Sequence, residues 1–119
     1  MQYLLLIYSN EAAAPQADTP QFSAGMKEYG EFTNAIRESR HLLGGNRLQS
    51  ASNATSVRVR DSKTLLTDGP FAETAEQLGG YYLIEAANLD EALGIAARVP
   101  GAKWGTVEVR PVHPMAPPA

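Results

Sequence analysis

The sequence predicts an α+β fold, a ferredoxin-like antiparallel sheet of order βαββαβ with an extra hairpin between its halves. Two stretches carry apolar residues at helical spacing, one in each half of the chain. The other apolar segments are short and either alternate or run continuously, as strands do. The 119 residues are the size of one domain, which we assign to residues 1–112, with a Pro-rich tail over residues 113–119.

The chain opens with a strand followed by a long helix. Residues 3–8 form a continuous apolar run, typical of a central strand covered on both faces. Residues 10–21 mix Ala, Pro, Asn and Asp without a period and are expected to form a loop. From Phe22 to Leu43 apolar side chains recur at three- and four-residue steps, which predicts a helix that Gly44-Gly45 terminates.

The middle of the chain predicts a hairpin. Residues 46–49 fit a short strand, and residues 50–54 a polar connection. Residues 55–60 alternate, with Val57 and Val59 on one side and Arg58 and Arg60 on the other. Residues 61–63 are turn-like, and residues 64–67 are expected to form the second strand of the hairpin.

The second half repeats the order strand, helix, strand. Residues 79–86 alternate, with Tyr82 and Ile84 on one face. Asn88 is expected to cap the following helix together with Glu91, and the helix closes at Pro100-Gly101. A last alternating strand is expected over residues 106–112, before a proline-rich and frayed tail.

Residues 68–71, Asp-Gly-Pro-Phe, form what we call the DGPF segment, and they allow two interpretations. In the first, the Asp68 carboxylate accepts backbone N–H bonds, Gly69 takes an unusual φ, and Pro70 starts a helical turn over residues 71–77. In the second, Asp68 lines a ligand pocket and accepts a proton. The residues alone leave both interpretations open.

Composition excludes several partner classes. A net charge of -3 without a run of Lys or Arg does not favour nucleic acid. The apolar start is too short to span a membrane, and the lack of cysteine fits the cytoplasm. Neither a Gly-rich phosphate loop nor a clustered metal-ligand pattern occurs in the sequence, so we expect no cofactor and no metal.

A single antiparallel sheet with both helices on one face leaves its other face open. The strands supply more apolar positions than two short helices can cover, namely Val57, Val59, Ile84, Val107 and Val109. A second sheet packed face to face would bury the remainder. The sequence therefore predicts a homodimer.

Candidate site residues surround the DGPF segment. Asp68 is the candidate catalytic residue, and the candidate substrate-binding residues are Tyr8, Arg58, Tyr81, Glu85 and Arg110. An arginine fork holds a carboxylate or a phosphate, and a buried tyrosine hydroxyl needs a partner. The alternative is a solvated strand face with ion pairs, and tyrosines that serve as core or interface aromatics.

Four segments of the chain resemble the DGPF group of the YCII-related proteins. They are MQYLLLIYSNE at the start, TDGPFAETAEQLGGYYLIEA in the middle, LDEALGIAARVPGA after it and GTVEVRPV near the end. The resemblance covers most of the chain in the family's order, and it implies the dimeric α+β barrel fold. It also implies a bacterial protein of largely unknown activity, often encoded beside a sigma factor of the extracytoplasmic-function type.

The resemblance also concerns histidine. Other YCII-related proteins are thought to pair a histidine on the first helix with an aspartate, whereas this chain has Tyr29 near the middle of that helix. His41 lies beside the glycines expected to end the helix, where it would favour the negative helix C-terminus. A histidine–aspartate pair is therefore not expected here.

Two functional hypotheses follow. The first is a pocket for a small polar or anionic metabolite, with or without cofactor-free acid–base catalysis such as isomerisation, lyase action or hydrolysis. The second is a noncatalytic regulatory or ligand-sensing dimer associated with a sigma factor. The sequence does not decide whether the chain is an enzyme.

Overall fold

The computed structural model describes residues 1–115 of the chain. The strands are β1 (Gln2–Ser9), β2 (Leu42–Arg47), β3 (Thr55–Arg60), β4 (Lys63–Asp68), β5 (Gln77–Glu85) and β6 (Thr106–Pro111), and the helices are α1 (Pro20–Glu38) and α2 (Leu89–Arg98). Short 3₁₀ turns lie at Glu11–Ala13, Ala51–Asn53 and Pro100–Lys103. Within the described residues, no helix has both the length and the apolar character that a membrane crossing requires. Residues 116–119 of the predicted tail lie outside the described residues.

The sheet has the predicted ferredoxin-like order. Four antiparallel strands lie in the order β2-β5-β1-β6, and β3 and β4 form a separate two-stranded sheet. The central position expected for the first strand is confirmed, since β1 pairs with β5 on one side and with β6 on the other. The hairpin is also confirmed; Asp61 and Ser62 both take positive φ in its two-residue turn.

The core lies between the sheet and the two helices. Alternation along β1 sends Tyr3 and Leu5 into this core and leaves Leu4 and Leu6 on the opposite face. The buried residues of the core are Tyr3, Leu5, Phe32, Ile36, Ile84, Ala86, Ala92, Ile95, Ala96 and Val99. Within one chain, β1 is therefore covered by helices on a single face.

Helix α1 starts and ends differently from the expectation. Thr19 caps its first turn, because its hydroxyl accepts the Phe22 N–H at 3.2 Å. The helix ends at Glu38, where Arg40 takes a φ of 65° and the His41 N–H donates to the Ile36 carbonyl at 2.9 Å. The predicted end at Gly44-Gly45 was wrong, since both glycines lie inside β2.

Helix α2 has the predicted cap. The Asn88 side chain accepts the Glu91 N–H at 2.9 Å, and the Glu91 carboxylate accepts the Ala87 N–H at 3.1 Å. These reciprocal bonds satisfy backbone donors that a helix N-terminus leaves free. The helix ends at Arg98, just before Pro100.

The helical turn predicted after Pro70 was wrong. Residues 69–76 form bends without helix, and β5 already begins at Gln77. Gly69 does take the unusual φ, 92°, while its N–H donates to the Ala54 carbonyl and its carbonyl accepts from Ser56 Oγ at 2.9 Å. The DGPF segment is therefore held to the start of β3 and has no helix to cap.

The hairpin projects from the rest of the molecule. The Cα radius of gyration of the molecule is 16.6 Å, whereas a compact chain of this length has a radius of gyration of about 13–14 Å. We call residues 55–68 the arm.

Leu5→Ala is expected to lower the free energy of unfolding by about 2–5 kcal/mol, because Leu5 is fully buried and a cavity would remain. Leu93→Ala, on an exposed position of α2, is the matched control and should change it by less than about 0.5 kcal/mol. Urea unfolding at one protein concentration measures both. Equal losses for the two variants would contradict this location of the core.

Candidate functional site

The face of the main sheet that points away from the helices is the candidate site. Register places Leu6 beside Tyr81 and Glu108, and Leu4 beside Leu83 and Arg110. We call this surface the open sheet face; its side chains are Leu4, Leu6, Tyr8, Asn46, Leu78, Tyr81, Leu83, Glu85, Thr106, Glu108 and Arg110. It has an apolar centre bordered by hydroxyl and charged groups.

Two polar groups on this face have hydrogen-bond donors that remain available. The Tyr81 hydroxyl accepts the Asn46 side-chain N–H at 2.9 Å, so its own hydrogen remains available for donation. Among residues 1–115, the salt bridges do not include Arg110, whose guanidinium is exposed. A phenolic donor and a guanidinium beside leucines suit a small anion with an apolar body.

Tyr8 marks the end of this face nearest the DGPF segment. It pairs with Leu78 and Thr106. Thr106 Oγ1 donates to Glu76 Oε1 at 2.8 Å, which ties the loop following the DGPF segment to the start of β6. Gly105, next to Thr106, approaches the backbone of Tyr8 closely, and a Cβ there would collide with the Tyr8 carbonyl oxygen.

The arm is anchored at the same end of the sheet. Glu11 accepts the Ser50 hydroxyl at 3.0 Å and the Ala51 N–H at 2.9 Å, so it caps the 3₁₀ turn that leads into the arm. The Glu11 N–H donates to Gln77 Oε1 at 3.0 Å. Glu11 therefore joins three parts of the chain. Its carboxylate connects the loop after β1 to the base of the arm, and its backbone N–H connects that loop to the start of β5.

The structure brings together some of the predicted site residues and separates the others. Tyr8, Tyr81, Glu85 and Arg110 share the open sheet face, as register shows. Glu85 lies at the far end of that face from Tyr8, paired with Gln2, and its carboxylate accepts from the Met1 nitrogen at 3.0 Å.

Asp68 and Arg58 are both on the arm and both exposed. Asp68 pairs with Thr55 and Arg58 pairs with Leu65, so the two side chains point to opposite faces of the hairpin. The single chain therefore joins Arg58 neither with Asp68 nor with the open sheet face.

A cluster of tyrosine hydroxyls under helix α1 was not predicted as a site. The Tyr29 hydroxyl accepts the Gly101 N–H at 3.0 Å. Thr33 Oγ1 donates to the Tyr29 carbonyl at 2.7 Å, so the Tyr82 hydroxyl, 2.6 Å away, donates to Thr33. Burial raises the pKa of Tyr29 above its ordinary 10.0, and Tyr82 and Glu28 add to the rise against the lowering effect of the Gly101 bond. The helical spacing of Tyr29 and Thr33 is the only signal in the sequence, and it equally fits a core position.

The His41 side chain connects the two helices. Its Nε2 lies 3.0 Å from Glu91 Oε1, and its Nδ1 lies 2.7 Å from Ser39 Oγ. The Ala87 N–H bond, and then the bond with His41, hold the pKa of Glu91 below its ordinary 4.5. His41 thus joins the end of α1 to the cap of α2.

Two shallow depressions lie elsewhere on the chain. One of about 420 Å³ is lined by Glu28, Glu31, Phe32, Ala97, Arg98, Val99, Pro100 and Lys103. The other, of about 310 Å³, is lined by Met1, Ser39, Arg40, His41, Glu85, Ala86, Ala87 and Glu91. Of the predicted site residues, these two depressions include Glu85 alone.

Comparison with known proteins identifies the family. The model of the YCII-related domain matches residues 1–116. The chain belongs to the YCII-related family. An uncharacterised protein from Rhizobium meliloti is 35% identical over 114 residues, which cover 94% of this chain and 92% of that protein.

A solved structure shows the same fold as this YCII-related chain. It is 5-chloro-2-hydroxyhydroquinone dehydrochlorinase (TftG) from Burkholderia phenoliruptrix AC1100, in complex with 2,5-dihydroxybenzoquinone. The similarity has a TM-score of 0.53 at 12% identity and covers 95% of this chain and 94% of TftG. The chain has the α+β barrel fold that the sequence predicted, and at this identity the likeness concerns the fold alone.

Gly105→Ala is expected to lower the free energy of unfolding by about 1–3 kcal/mol, because the added methyl would meet the Tyr8 backbone. Gly94→Ala is the matched control; nothing lies within 4 Å of its Cβ position in α2. It should raise stability by about 0.5–1 kcal/mol, since alanine is the better helix former. Thermal unfolding checks this: the midpoint temperature should fall for Gly105→Ala and rise for Gly94→Ala. A change in the same direction for both variants would contradict the close approach at Tyr8.

Tyr29 is expected to ionise at a higher pH than an ordinary tyrosine, because burial disfavours its phenolate. Ultraviolet absorbance titrations of the wild type and of Tyr29→Phe give a difference curve that isolates this hydroxyl among the five tyrosines. Its midpoint should lie above pH 10.0. A midpoint at or below that pH would show that Tyr29 is accessible to water.

Proposed function

We propose that this YCII-related protein binds a small polar or anionic organic molecule on the open sheet face, as a cytoplasmic homodimer in which a second copy shelters that face. The observation that carries this proposal is the register of β5, β1 and β6, which puts Tyr81 and Arg110 around the leucines of the sheet centre. A surface with an apolar centre and a few convergent polar groups is typical of a small-molecule site.

Each group has a separate role in binding. The Arg110 guanidinium offers two parallel N–H donors to a carboxylate, phosphate or phenolate oxygen. The Tyr81 hydroxyl, held by Asn46, donates its free hydrogen to a second ligand oxygen. Leu4 and Leu6 provide apolar contact for a planar ligand body.

The ligand of TftG supports the choice of ligand class. 2,5-Dihydroxybenzoquinone, bound in that structure, is small, planar and acidic. It combines an apolar ring with oxygens that an arginine and a tyrosine would hold. It is therefore a suitable first probe for this chain.

Cofactor-free proton transfer is the reaction class that this site would support. Asp68 is the candidate base, and an exposed carboxylate beside bulk water is a weak one. Catalysis by Asp68 therefore requires that it be brought next to the bound ligand and sheltered there. The second hypothesis is a noncatalytic regulatory or ligand-sensing dimer associated with a sigma factor, and its signature is a sigma-factor contact that survives loss of the ligand site.

Arg110→Ala is expected to weaken binding of 2,5-dihydroxybenzoquinone by about tenfold to a hundredfold, the effect of losing one charge-assisted hydrogen-bonded contact. Tyr81→Phe should weaken it several-fold. Isothermal titration calorimetry measures both.

Arg37→Ala is the matched control, because Arg37 lies at the end of α1 and bonds to Asn34 at 2.7 Å. It should leave the affinity unchanged. If the wild type and Arg110→Ala bind the probe equally well, the open sheet face is not the site. Loss of turnover in Asp68→Asn with binding retained would assign catalysis to Asp68.

A further inference from the structure

The arm has an exposed apolar face without cover in its own chain. The side chains on this face are Thr55, Val57, Val59, Thr64, Leu66 and Asp68. Val57 is 60% exposed, Val59 59% and Leu66 68%. The opposite face carries Leu65 together with Arg58, Arg60 and Lys63, so the arm has one face without basic residues and one face with three of them.

An isolated two-stranded hairpin is marginally stable in water and needs packing against another layer. The arm is tied to its own chain at its base, through the bonds between Gly69 and Ala54 and between Gly69 and Ser56. Beyond that base, the exposure of its valines and Leu66 shows that its own sheet does not cover it.

The arm extends beside its own sheet and does not fold over it. The molecule measures 50 × 48 × 19 Å. A sheet with one helix layer is already about 20 Å thick, since packed layers are separated by about 10 Å. An arm lying over its own open sheet face would add a third layer, which the 19 Å extent excludes.

We propose that the apolar face of the arm packs on the open sheet face of a second copy and brings Asp68 to that copy's ligand site. Each copy would give one arm and receive one, as a two-fold axis requires. The part of this inference that concerns the ligand rests on the proposed function. The contact between the two copies rests only on the arm and the open sheet face.

The dimensions of the arm favour a second copy as the occupant. Strands of six residues span about 20 Å, which matches the width of four strands at about 4.8 Å spacing. The three basic residues of the arm lie on its opposite face, so the apolar face carries Asp68 as its single charged side chain.

The composite site also explains the separation of the candidate residues. In a single chain Asp68 lies on the arm and Tyr81 and Arg110 lie on the main sheet. With the apolar face of the arm against the partner, Asp68 faces the partner's sheet and Arg58 faces solvent. Asp68 then acts beside the ligand with Arg110, and Arg58 has no part in the site.

Cross-linking tests the contact without a ligand. The chain has no cysteine, so a thiol placed at each of two positions reacts alone. A mixture of the Asp68→Cys and Arg110→Cys variants, treated with a short bis-maleimide, should give a covalent heterodimer. Arg37→Cys in place of Arg110→Cys is the control and should give none. Absence of the heterodimer with Arg110→Cys overturns the proposal, whatever the oligomeric state.

Leu66→Glu tests whether the apolar face of the arm contributes to association. Leu66 is 68% exposed, so the variant should fold. Its dimer is expected to dissociate at least a hundredfold more readily in analytical ultracentrifugation. Leu93→Glu, at an exposed position of α2, should associate like the wild type.

A Leu66→Glu dimer as tight as the wild-type dimer overturns the proposal, and so does a monomeric wild type. If cross-linking succeeds but no probe binds, the arm contact stands and only the proposed ligand function fails. If a probe binds a chain whose arms do not cross-link, the ligand function stands and the composite site fails.

Discussion

The alternation of β1 between two faces is the constraint on which the rest of the structure depends. Tyr3 and Leu5 reach the helices and fill the core, whereas Leu4 and Leu6 have similar chemistry and no helix above them. Because side chains along a strand alternate with a period of two, a shift in register would only exchange the two sets. One apolar face of the sheet therefore remains without a helix over it, and β5 and β6 add polar groups around that face.

The order of elements was predictable because it follows from local patterns. The apolar run of β1, the two-residue turn of the hairpin and the Asn88 cap act within a few residues of sequence. The end of α1 was not predictable in this way. Leu42 and Leu43 continue the helical spacing, and the helix ends through a left-handed Arg40, a conformation that the sequence does not signal at an arginine.

The candidate site was predictable only in part, because register and strand order are tertiary properties. Alternation showed that Tyr81 and Glu85 share a face, but only the pairing of β1 with both β5 and β6 places Arg110 on the same face as Tyr81. The arginines of the arm and of β6 looked equivalent in sequence. The strand order separates them, since Arg58 lies on the two-stranded arm and Arg110 on the main sheet. Within the arm, Arg58 lies on the face opposite Asp68.

Shelter of the open sheet face by a second copy is the central claim of this account, and hydroxyl-radical footprinting tests it most directly. The reactivity of Leu4, Leu6 and Leu83 is compared with that of exposed Trp104 over a dilution series of the wild-type protein. The account predicts that these leucines are protected at high concentration and become reactive on dilution, while Trp104 does not change. Equal reactivity of the leucines at all concentrations, with the protein folded, would contradict it.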